Sequence, residues 1–199
     1  GCSGLKSITI PNGIEKIADG AFSECTSLNT VSLPDSLTNI GGHAFYHCPA
    51  MTTVKVLDSN PAFKSVDGVL FNKDMTNLIY YPAGKANESY AIPSGVTNIG
   101  EYAFNYAQNL KSVDIPDSCK NIGEFAFRYC TNIESVSIPE NASISFAGFD
   151  QCSGLTALTL PSSVTNIGPW GFANCTSLAD VYYLGTRTQW NSLISTLNS

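Results

Sequence analysis

The sequence has few charged residues, and acidic residues outnumber basic ones. Of 199 residues, 13% are charged, with 16 Asp and Glu against 10 Lys and Arg, so the formal net charge is −6 at pH 7. A protein that binds a phosphate backbone needs a basic patch, because neutralising phosphates with Lys and Arg supplies most of the affinity. The composition therefore disfavours nucleic acid, and equally an anionic membrane surface, as a partner.

The sequence also lacks segments that enter membranes or direct export. It contains no stretch of 18 apolar residues and no basic segment followed by an apolar run. We therefore expect no membrane insertion by this segment. The chain begins with Gly rather than Met, and Cys2 already stands in phase with the repeat described below. We interpret the start as an edge inside a longer protein, with a lipid-modified Cys2 as the alternative.

Motifs of catalysis are missing as well. The glycine-rich patterns that bind dinucleotides or nucleotide phosphates do not occur. Both histidines, His43 and His47, lie in one short segment, and no Ser/His/Asp arrangement can be argued around them. Spaced at i and i+4, they could chelate a metal on a helix, but no acidic or third ligand is fixed beside them. We predict no enzyme activity, no cofactor and no metal site.

The sequence does contain a repeat that is marked by cysteine. Within two runs, the gaps between successive cysteines of the repeat are 23, 23, 22 and 23 residues. A fixed period in this range is typical of stacked supersecondary units, each of which contacts only its neighbours. Residues 1–199 are therefore predicted to form a single solenoid of about eight units. The cysteines that mark the repeat are Cys2, Cys25, Cys48, Cys130, Cys152 and Cys175.

Each unit follows one frame, C-x2-L-x2-[IV]-x-[IVL]-P-x2-[VIL]-x2-I-G-x2-A-F-x2-C. Segments such as residues 7–10 and 135–138 alternate polar and β-branched residues, which is typical of a half-buried strand, and a proline ends each of them. A second short extended segment ends at a glycine, and a turn then carries Ala-Phe inward. We expect a mainly β solenoid with short turns or 3-10 segments and a parallel sheet along one face.

One region departs from the repeat. Leu57 stands where the frame has proline, and Pro93 follows 36 residues later, which is one unit of 23 residues plus 13. Turn signals at Asp67-Gly68 and at residues 72–74 flank the apolar residues 69–71. We interpret residues 57–93 as an insertion with a β-hairpin beside the solenoid, in which residues 78–81 and 90–92 are closely spaced strands. A tolerated insertion without a role is the alternative.

The end of the sequence is predicted to cap the solenoid. Trp190, Leu193, Ile194 and Leu197 recur at i, i+3, i+4 and i+7, so one face of a helix is apolar. A terminal repeat needs a cover that is polar on its outside, and an amphipathic helix provides one. We therefore assign residues 181–199 to a C-terminal cap with a capping helix.

The cysteines allow three chemical interpretations. Zinc needs paired ligands that converge on one point, whereas these residues come one per unit along an axis. Disulfides between neighbouring units have a suitable separation, but side chains in a ladder point the same way, which opposes the required geometry. Ala107 fills the same position as the cysteines, so this position favours a small apolar side chain. We predict reduced, buried thiols, and Cys119 as a further core residue.

The outward positions of the strands are rich in Ser and Thr and weakly charged. These residues suit an exposed strand and discourage aggregation, or they form a shallow face for a protein or glycan. Four residues interrupt the Ser and Thr pattern, and we favour Tyr80 among them because aromatic anchors tend to dominate binding energy. The predicted ligand-binding residues are Lys55, Tyr80, Asp114 and Tyr182.

Aromatic residues also gather around the Ala-Phe turns. The phenylalanine of each turn is predicted to fill the core, and the aromatic residues next to it form an alternative patch. Exposed rings in a patch favour a binding surface, whereas rings between loosely stacked turns shield the core. The alternative patch consists of Tyr102, Tyr106, Phe125 and Tyr129.

Three segments together resemble the BspA-like leucine-rich repeat family over essentially the whole chain. They are the frame that ends in A-F-x2-C, the inserted D-G-V-L-F…L-I-Y-Y-P…Y-A-I-P, and the closing V-Y-Y-L-G-T-R-T-Q-W, whose Y-Y-x-G-T-x2-Q-W is the most specific. Small departures are Ala107 for Cys, Ala18 for Gly, and the loss of one residue after Pro139 in the unit from Cys130 to Cys152. The resemblance implies a leucine-rich-repeat solenoid, an extracellular or cell-surface location, and adhesion or protein recognition rather than catalysis.

Two classes of function remain open. The first is a surface-exposed, monomeric recognition module that binds a protein or glycan through its strand face. The second is a structural spacer in a larger cell-envelope protein. A signal peptide and wall anchor in the full-length sequence would favour the first class, and a recognisable enzyme or binding domain joined to this one would favour the second.

Overall fold

The computed structural model describes residues 1–195 as a solenoid of short strands that ends in one helix. Each unit contributes two extended segments, and equivalent segments of successive units lie side by side. The strand before the proline of a unit is its first-row strand, and the strand before the glycine is its second-row strand. Eight first-row strands confirm the predicted solenoid.

The described residues contain seventeen strands and one helix. The first row contains β1 (Ser7–Thr9), β3 (Thr30–Leu33), β5 (Thr53–Val56), β9 (Ser89–Ala91), β11 (Ser112–Asp114), β13 (Ser135–Ser137), β15 (Ala157–Leu160) and β17 (Asp180–Tyr183). The second row contains β2 (Lys16–Ile17), β4 (Asn39–Ile40), β6 (Phe63–Val66), β7 (Val69–Asn72), β8 (Asn77–Tyr80), β10 (Asn98–Ile99), β12 (Asn121–Ile122), β14 (Ser143–Ile144) and β16 (Asn166–Ile167). The helix is α1 (Arg187–Ser195).

Strands of the repeat pair in parallel with an offset of one unit. Val31 pairs with Val54 and Leu158 pairs with Val181, so equivalent residues of successive units form columns along the solenoid. The middle residue of β11 and of β13 is buried, whereas both of its neighbours are exposed. Apolar columns therefore line the core and Ser/Thr columns face solvent, as the alternating pattern predicts.

The insertion divides the first row into two sheets. One sheet has the order β1-β3-β5 and the other β17-β15-β13-β11-β9, while the second row forms the pair β2-β4 and the sheet β16-β14-β12-β10-β8-β7-β6. The insertion contributes strands only to the second row. The sheet expected along one face is therefore parallel within each of its two parts but interrupted between β5 and β9.

The insertion is part of the solenoid and does not lie beside it. β6 and β7 form a hairpin whose turn residues Asp67 and Gly68 both have positive φ, at 50° and 80°, as a tight hairpin turn requires. β7 then pairs antiparallel with β8, and β8 pairs in parallel with β10. Residues 90–92 are not the partner of residues 78–81, because β9 pairs with β11. That part of the prediction is wrong, since Asn77 and Leu78 match the Asn-Ile of the second row.

Strand β7 separates two hydrophobic cores. Leu70 packs with Phe63 in a core formed by the units before the insertion, the N-terminal core. Val69 and Phe71 pack in a core formed by the units after it, the C-terminal core. Because neighbouring side chains of a strand point to opposite faces, the three fully buried residues Val69, Leu70 and Phe71 of one strand close both cores.

Aromatic rings stack along the inside of both cores. Centroids of consecutive rings lie between 4.7 and 5.9 Å apart, and the predicted packing of the phenylalanine column in the core is confirmed. The stack comprises Phe22, Phe45 and Tyr80 in the N-terminal core, and Tyr81, Phe104, Phe127, Phe149 and Phe172 in the C-terminal core.

The thiols of the cysteine column bond to the preceding unit. Cys130 Sγ donates to the carbonyl oxygen of Phe104 at 3.0 Å, and Cys152 Sγ donates to that of Phe127 at 3.1 Å. Cys48 and Cys175 make the same contact to the preceding phenylalanine. The column therefore selects a small side chain that can donate, which the apolar interpretation missed. All seven cysteines are free; Cys25, Cys48, Cys119, Cys130 and Cys152 are buried, Cys175 is half-buried and Cys2 is exposed.

The C-terminal helix covers the second-row end of the solenoid. Leu193 is buried and Trp190 packs against the C-terminal core, with its ring 5.4 Å from that of Tyr183. The helix begins at a capping box, in which Thr186 and Gln189 exchange backbone-to-side-chain hydrogen bonds. Part of the last first-row strand stays uncovered, and Leu197 lies outside the described residues.

Candidate functional site

The predicted residues of the strand face do not form one cluster. Lys55, Asp114 and Tyr182 are exposed, as expected. Lys55 lies in β5 of the three-stranded sheet, whereas the other two lie in the five-stranded sheet. Asp114 and Tyr182 are three strand spacings apart there, which is about 14 Å. A ligand that touches all three residues must span both sheets.

Tyr80 is not on the strand face, and its prediction as an exposed anchor is wrong. Only 5% of its surface is exposed, and its ring packs 5.2 Å from that of Phe45 in the N-terminal core. Burial raises the pKa of its hydroxyl. The alternation of residues 77–81 resembles a first-row strand, but β8 pairs with the second-row strand β10, so the side chain of Tyr80 enters the core.

The alternative patch on the turn side forms a continuous aromatic surface. Tyr102 stacks on Phe125 at 4.8 Å, and Tyr106 stacks on Tyr129 at 4.6 Å. Further rings extend both stacks, and Tyr46 contacts the two tyrosines 102 and 106 by its edge. We call this surface the aromatic ribbon: His43, Tyr46, His47, Tyr102, Tyr106, Phe125, Tyr129, Phe146 and Trp170.

The turn backbone positions these rings by hydrogen bonds along the solenoid axis. Tyr102, Phe125 and Trp170 have φ between 54° and 62°, a region that bulky residues rarely adopt. There the Tyr102 N–H donates to the Glu124 carbonyl at 3.0 Å, and the Phe125 N–H donates to the Phe146 carbonyl at 3.1 Å. Gly20 and Ala147 occupy the same column without an aromatic ring and also have positive φ, at 66° and 52°, so the geometry belongs to the turn. This backbone geometry fixes the direction in which each ring points from the turn.

The frame glycine allows the turns to stack this closely. A Cβ atom at Gly123 would lie 2.7 Å from the carbonyl oxygen of Ile99 in the preceding unit. No side chain fits at that distance. At Gly123 the close approach of the turns therefore depends on glycine, whereas Ser145 fills the same column one unit later and its N–H still donates to the Ile122 carbonyl at 2.9 Å.

Two histidine–glutamate contacts join the ribbon to the turns around it. His47 Nδ1 lies 2.6 Å from a carboxylate oxygen of Glu24, and His43 Nε2 lies 3.6 Å from one of Glu101. Burial, followed by the charge of Glu101, raises the pKa of Tyr102. The tyrosine therefore stays neutral at physiological pH and presents a hydroxyl rather than a charge.

Arg128 occupies the centre of the ribbon. Its guanidinium lies 5.2 Å from the ring centroid of Phe125 and 4.9 Å from that of Tyr129. Its Nε also donates to Asp150 Oδ2 at 2.9 Å, and the side chain of Asp150 is almost fully buried. Two aromatic faces and a carboxylate thus hold one cation.

The exposed end of the ribbon is formed by two residues that sequence reasoning did not single out. Phe146 is 38% exposed and Trp170 is 64% exposed, with ring centroids 6.5 Å apart, whereas Tyr102 is only 9% exposed. The rings in the middle of the ribbon therefore shield the core, whereas the rings at its end are exposed to solvent. For Phe146, the sequence contains one signal that could have found it. A residue is missing after Pro139, and counting from that proline with this gap places Phe146 in the same column as Glu124.

Two grooves elsewhere on the described surface lack the groups of a catalytic or metal site. A groove of about 260 Å³ beside α1 and one of about 340 Å³ beside Leu57 contain no carboxylate, histidine or cysteine. Within residues 1–195, no three His, Cys, Asp or Glu side chains lie close enough to hold a metal ion.

The repeat frame, the parallel columns and the capped solenoid match a known family. The chain matches the BspA type leucine rich repeat region in six copies, over residues 1–83 and 76–194. It belongs to the BspA-type leucine-rich repeat family. Proteins of this family are often surface proteins, and their solenoid fold is typically non-enzymatic. No curated protein matches the chain.

Solved structures of bacterial proteins share this fold. A leucine rich cell surface protein from Faecalibacterium prausnitzii is 30% identical, with a TM-score of 0.70 over 96% of this chain and 63% of its own. A leucine-rich repeat protein from Eubacterium ventriosum is 24% identical, with a TM-score of 0.70 over 89% and 54%. The pneumococcal vaccine antigen PcpA is 22% identical, with a TM-score of 0.70 over 98% and 66%. The chain thus spans about half to two thirds of their lengths.

No described helix of this BspA-type chain could cross a bilayer: within residues 1–195, none is long and apolar enough.

Proposed function

We propose that the chain is a monomeric, non-catalytic recognition module at the cell surface that binds a protein partner through the aromatic ribbon. The observation that carries the proposal is the exposed pair Phe146 and Trp170, 6.5 Å apart at the end of a continuous stack of rings. The location rests on the family and on the cell-surface relative from Faecalibacterium prausnitzii.

The rings of Phe146 and Trp170 are large, exposed and held in place. Exposed apolar patches on soluble proteins mark interaction sites, and aromatic side chains dominate the binding energy of interfaces. Stacking and the hydrogen-bonded turn backbone limit the motion of the rings. A partner therefore loses little affinity to ordering them.

Peptide and glycan arrays test this function. We expect the wild-type chain to give signals on peptides, and the double variant Phe146→Ala/Trp170→Ala to lose them. The control is Leu57→Ala/Leu184→Ala, which removes two side chains that are 61% and 66% exposed elsewhere. Circular dichroism establishes that both variants are folded.

Each other outcome of the arrays counts against the proposal. Equal signals from the wild type and the ribbon variant would move the site away from the ribbon. Signals on glycans alone would change the class of ligand. The absence of signals on both arrays would favour the role of a structural spacer.

The strand face is the second candidate surface. It is favoured by the exposure of Lys55, Asp114 and Tyr182, of which Tyr182 is 57% exposed. Binding there would use the hydroxyl-rich columns of the first row, and it would be lost in Lys55→Ala/Tyr182→Ala rather than in the ribbon variant.

A further inference from the structure

We infer that the exposed end of the aromatic ribbon, formed by Glu124, Phe146 and Trp170, binds a Lys or Arg side chain of a basic protein segment. This inference rests on the proposed function and specifies the chemistry of the partner. It follows from a cation that the chain itself holds, from the position of a free carboxylate, and from the charge of the turn side.

The chain already shows this mode of binding within its own structure. The Arg128 guanidinium lies over Phe125 at 5.2 Å and over Tyr129 at 4.9 Å, and Asp150 pairs with it at 2.9 Å. An aromatic face attracts a cation through its quadrupole, and a carboxylate adds an ion pair. Rings of the same surface therefore do hold a guanidinium.

The exposed end repeats these groups without an internal cation. Glu124 occupies the column of Phe146 one unit earlier, because its neighbour Phe125 bonds to the Phe146 carbonyl at 3.1 Å. One unit corresponds to about 5 Å along the axis. Within residues 1–195, no Lys or Arg pairs with Glu124 or lies over Phe146 or Trp170. A cation over Phe146 would therefore lie beside a free carboxylate.

The charge of the turn side favours a basic partner. Among the turn residues 18–26, 41–49, 100–108, 123–131, 145–153 and 168–176, the only Lys or Arg is Arg128, and Asp150 already pairs with it. The eight lysines all lie elsewhere in a chain of net charge −6. The carboxylates of these turns are Asp19, Glu24, Glu101, Glu124 and Asp150.

The test uses synthetic peptides that differ only in charge. A Gly-Ser peptide with several arginines is titrated into the isotopically labelled chain, and its analogue with neutral citrulline, which has nearly the same shape, serves as the comparison. Binding is followed by nuclear magnetic resonance at the amides of residues 171–174. We expect saturable shifts with arginine only, with a Kd on the order of millimolar that rises with salt.

Matched variants locate the binding. Glu124→Gln and Trp170→Ala are each expected to weaken binding of the arginine peptide by about two- to tenfold. Glu15→Gln removes an exposed carboxylate of the first unit, and Leu184→Ala removes an exposed apolar side chain, so both are expected to keep wild-type affinity.

The outcomes separate this inference from the proposed function. Citrulline and arginine peptides that bind alike, or a Glu124→Gln variant with unchanged binding, would show that the cationic partner is wrong. If the array signals still depend on Trp170 in that case, recognition by the ribbon holds. If arginine binding needs Glu124 but array signals survive the ribbon variant, the proposed function fails and the cation site remains. An equal loss in Glu15→Gln would show unspecific attraction and would overturn the inference, as would shifts with a neutral oligosaccharide instead of arginine.

Discussion

At the scale of the residue, the cysteine column combines small size with a hydrogen bond. The Cys130 thiol is buried and donates to the Phe104 carbonyl at 3.0 Å. Ala107 shows that the fold tolerates the loss of one such donor. The cost of losing it at Cys130 is that of one hydrogen bond, about 0.5–1.5 kcal/mol, because the Phe104 carbonyl still accepts from the Ala107 N–H at 3.0 Å.

Substitutions at Cys130 separate the two properties. Cys130→Ala is expected to lower the free energy of unfolding by about 0.5–1.5 kcal/mol, whereas Cys130→Ser keeps a donor and loses less. Urea denaturation of both variants measures the difference. If the alanine variant is the more stable of the two, the column selects for apolar character alone.

Buried thiols also predict how stability depends on pH. Burial raises the pKa of Cys48 and Cys130 from an ordinary value of 9.0 to about 12 in the folded chain. The unfolded chain therefore releases these protons first as the pH rises. Stability from this source is complete below pH 9 and is lost progressively between pH 9 and about 12.

Urea midpoints at pH 7, 9 and 10 test this dependence. We expect the midpoint to fall above pH 9, and to fall less in a Cys48→Ala/Cys130→Ala variant. A midpoint that stays constant up to pH 10 would show that the thiols ionise equally in both states.

A central ring of the core has a large predicted effect. Phe127 is fully buried and stacks on Phe104 and Phe149, both at 4.7 Å. Phe127→Ala should lower the free energy of unfolding by about 3–5 kcal/mol, through lost burial and the cavity left behind. The half-buried Phe22 at one end of the stack is the matched control, and Phe22→Ala should cost less. Equal denaturation midpoints for Phe127→Ala and wild type would contradict the packing.

At the scale of the element, strand β7 couples two cores through alternate residues. Leu70→Ala should loosen the N-terminal core, and Phe71→Ala should loosen the C-terminal core. Each removes a fully buried side chain at a cost of about 2–5 kcal/mol. Hydrogen exchange should lose protection mainly in β3 and β5 for the first variant and in β10 and β12 for the second. The same loss pattern in both variants would mean that the chain has one cooperative core.

Elements that keep the repeat could be predicted from the sequence, because a fixed period places equivalent side chains in columns. The phenylalanine stack and the Ser/Thr face follow from that rule, and the capping helix follows from the helical spacing of Trp190, Leu193 and Ile194. Tyr80 could not be placed, because the 36 residues from Leu57 to Pro93 break the period. The alternation of polar and apolar residues around Tyr80 fits pairing in either the first or the second row. Only long-range pairing of β8 with β10 resolves the choice.

The candidate site was predictable in part for the same reason. Tyr102, Tyr106, Phe125 and Tyr129 belong to regular units, and their gathering follows from the columns. Phe146 belongs to a shortened unit, so its new column is evident only when the turns are stacked. Contact of Tyr46 with Tyr102 depends on the insertion, which brings together turns that are distant in sequence.

At the scale of the whole molecule, two hydrophobic cores fill the inside of the solenoid, and two outer surfaces are candidates for recognition. The strand face is divided between two sheets and rich in hydroxyl groups. The turn side holds a continuous stack of rings and an excess of carboxylates. Large rings contribute more to binding than scattered Ser and Thr residues, so the turn side is the stronger candidate.

The proposed function assigns partner binding in this BspA-type chain to the exposed end of the aromatic ribbon. The most direct measurement is the affinity of the strongest array ligand for three folded proteins: wild type, Phe146→Ala/Trp170→Ala and Lys55→Ala/Tyr182→Ala. We expect about a tenfold or greater loss of affinity for the ribbon variant and wild-type affinity for the strand-face variant. A loss confined to the strand-face variant would contradict it.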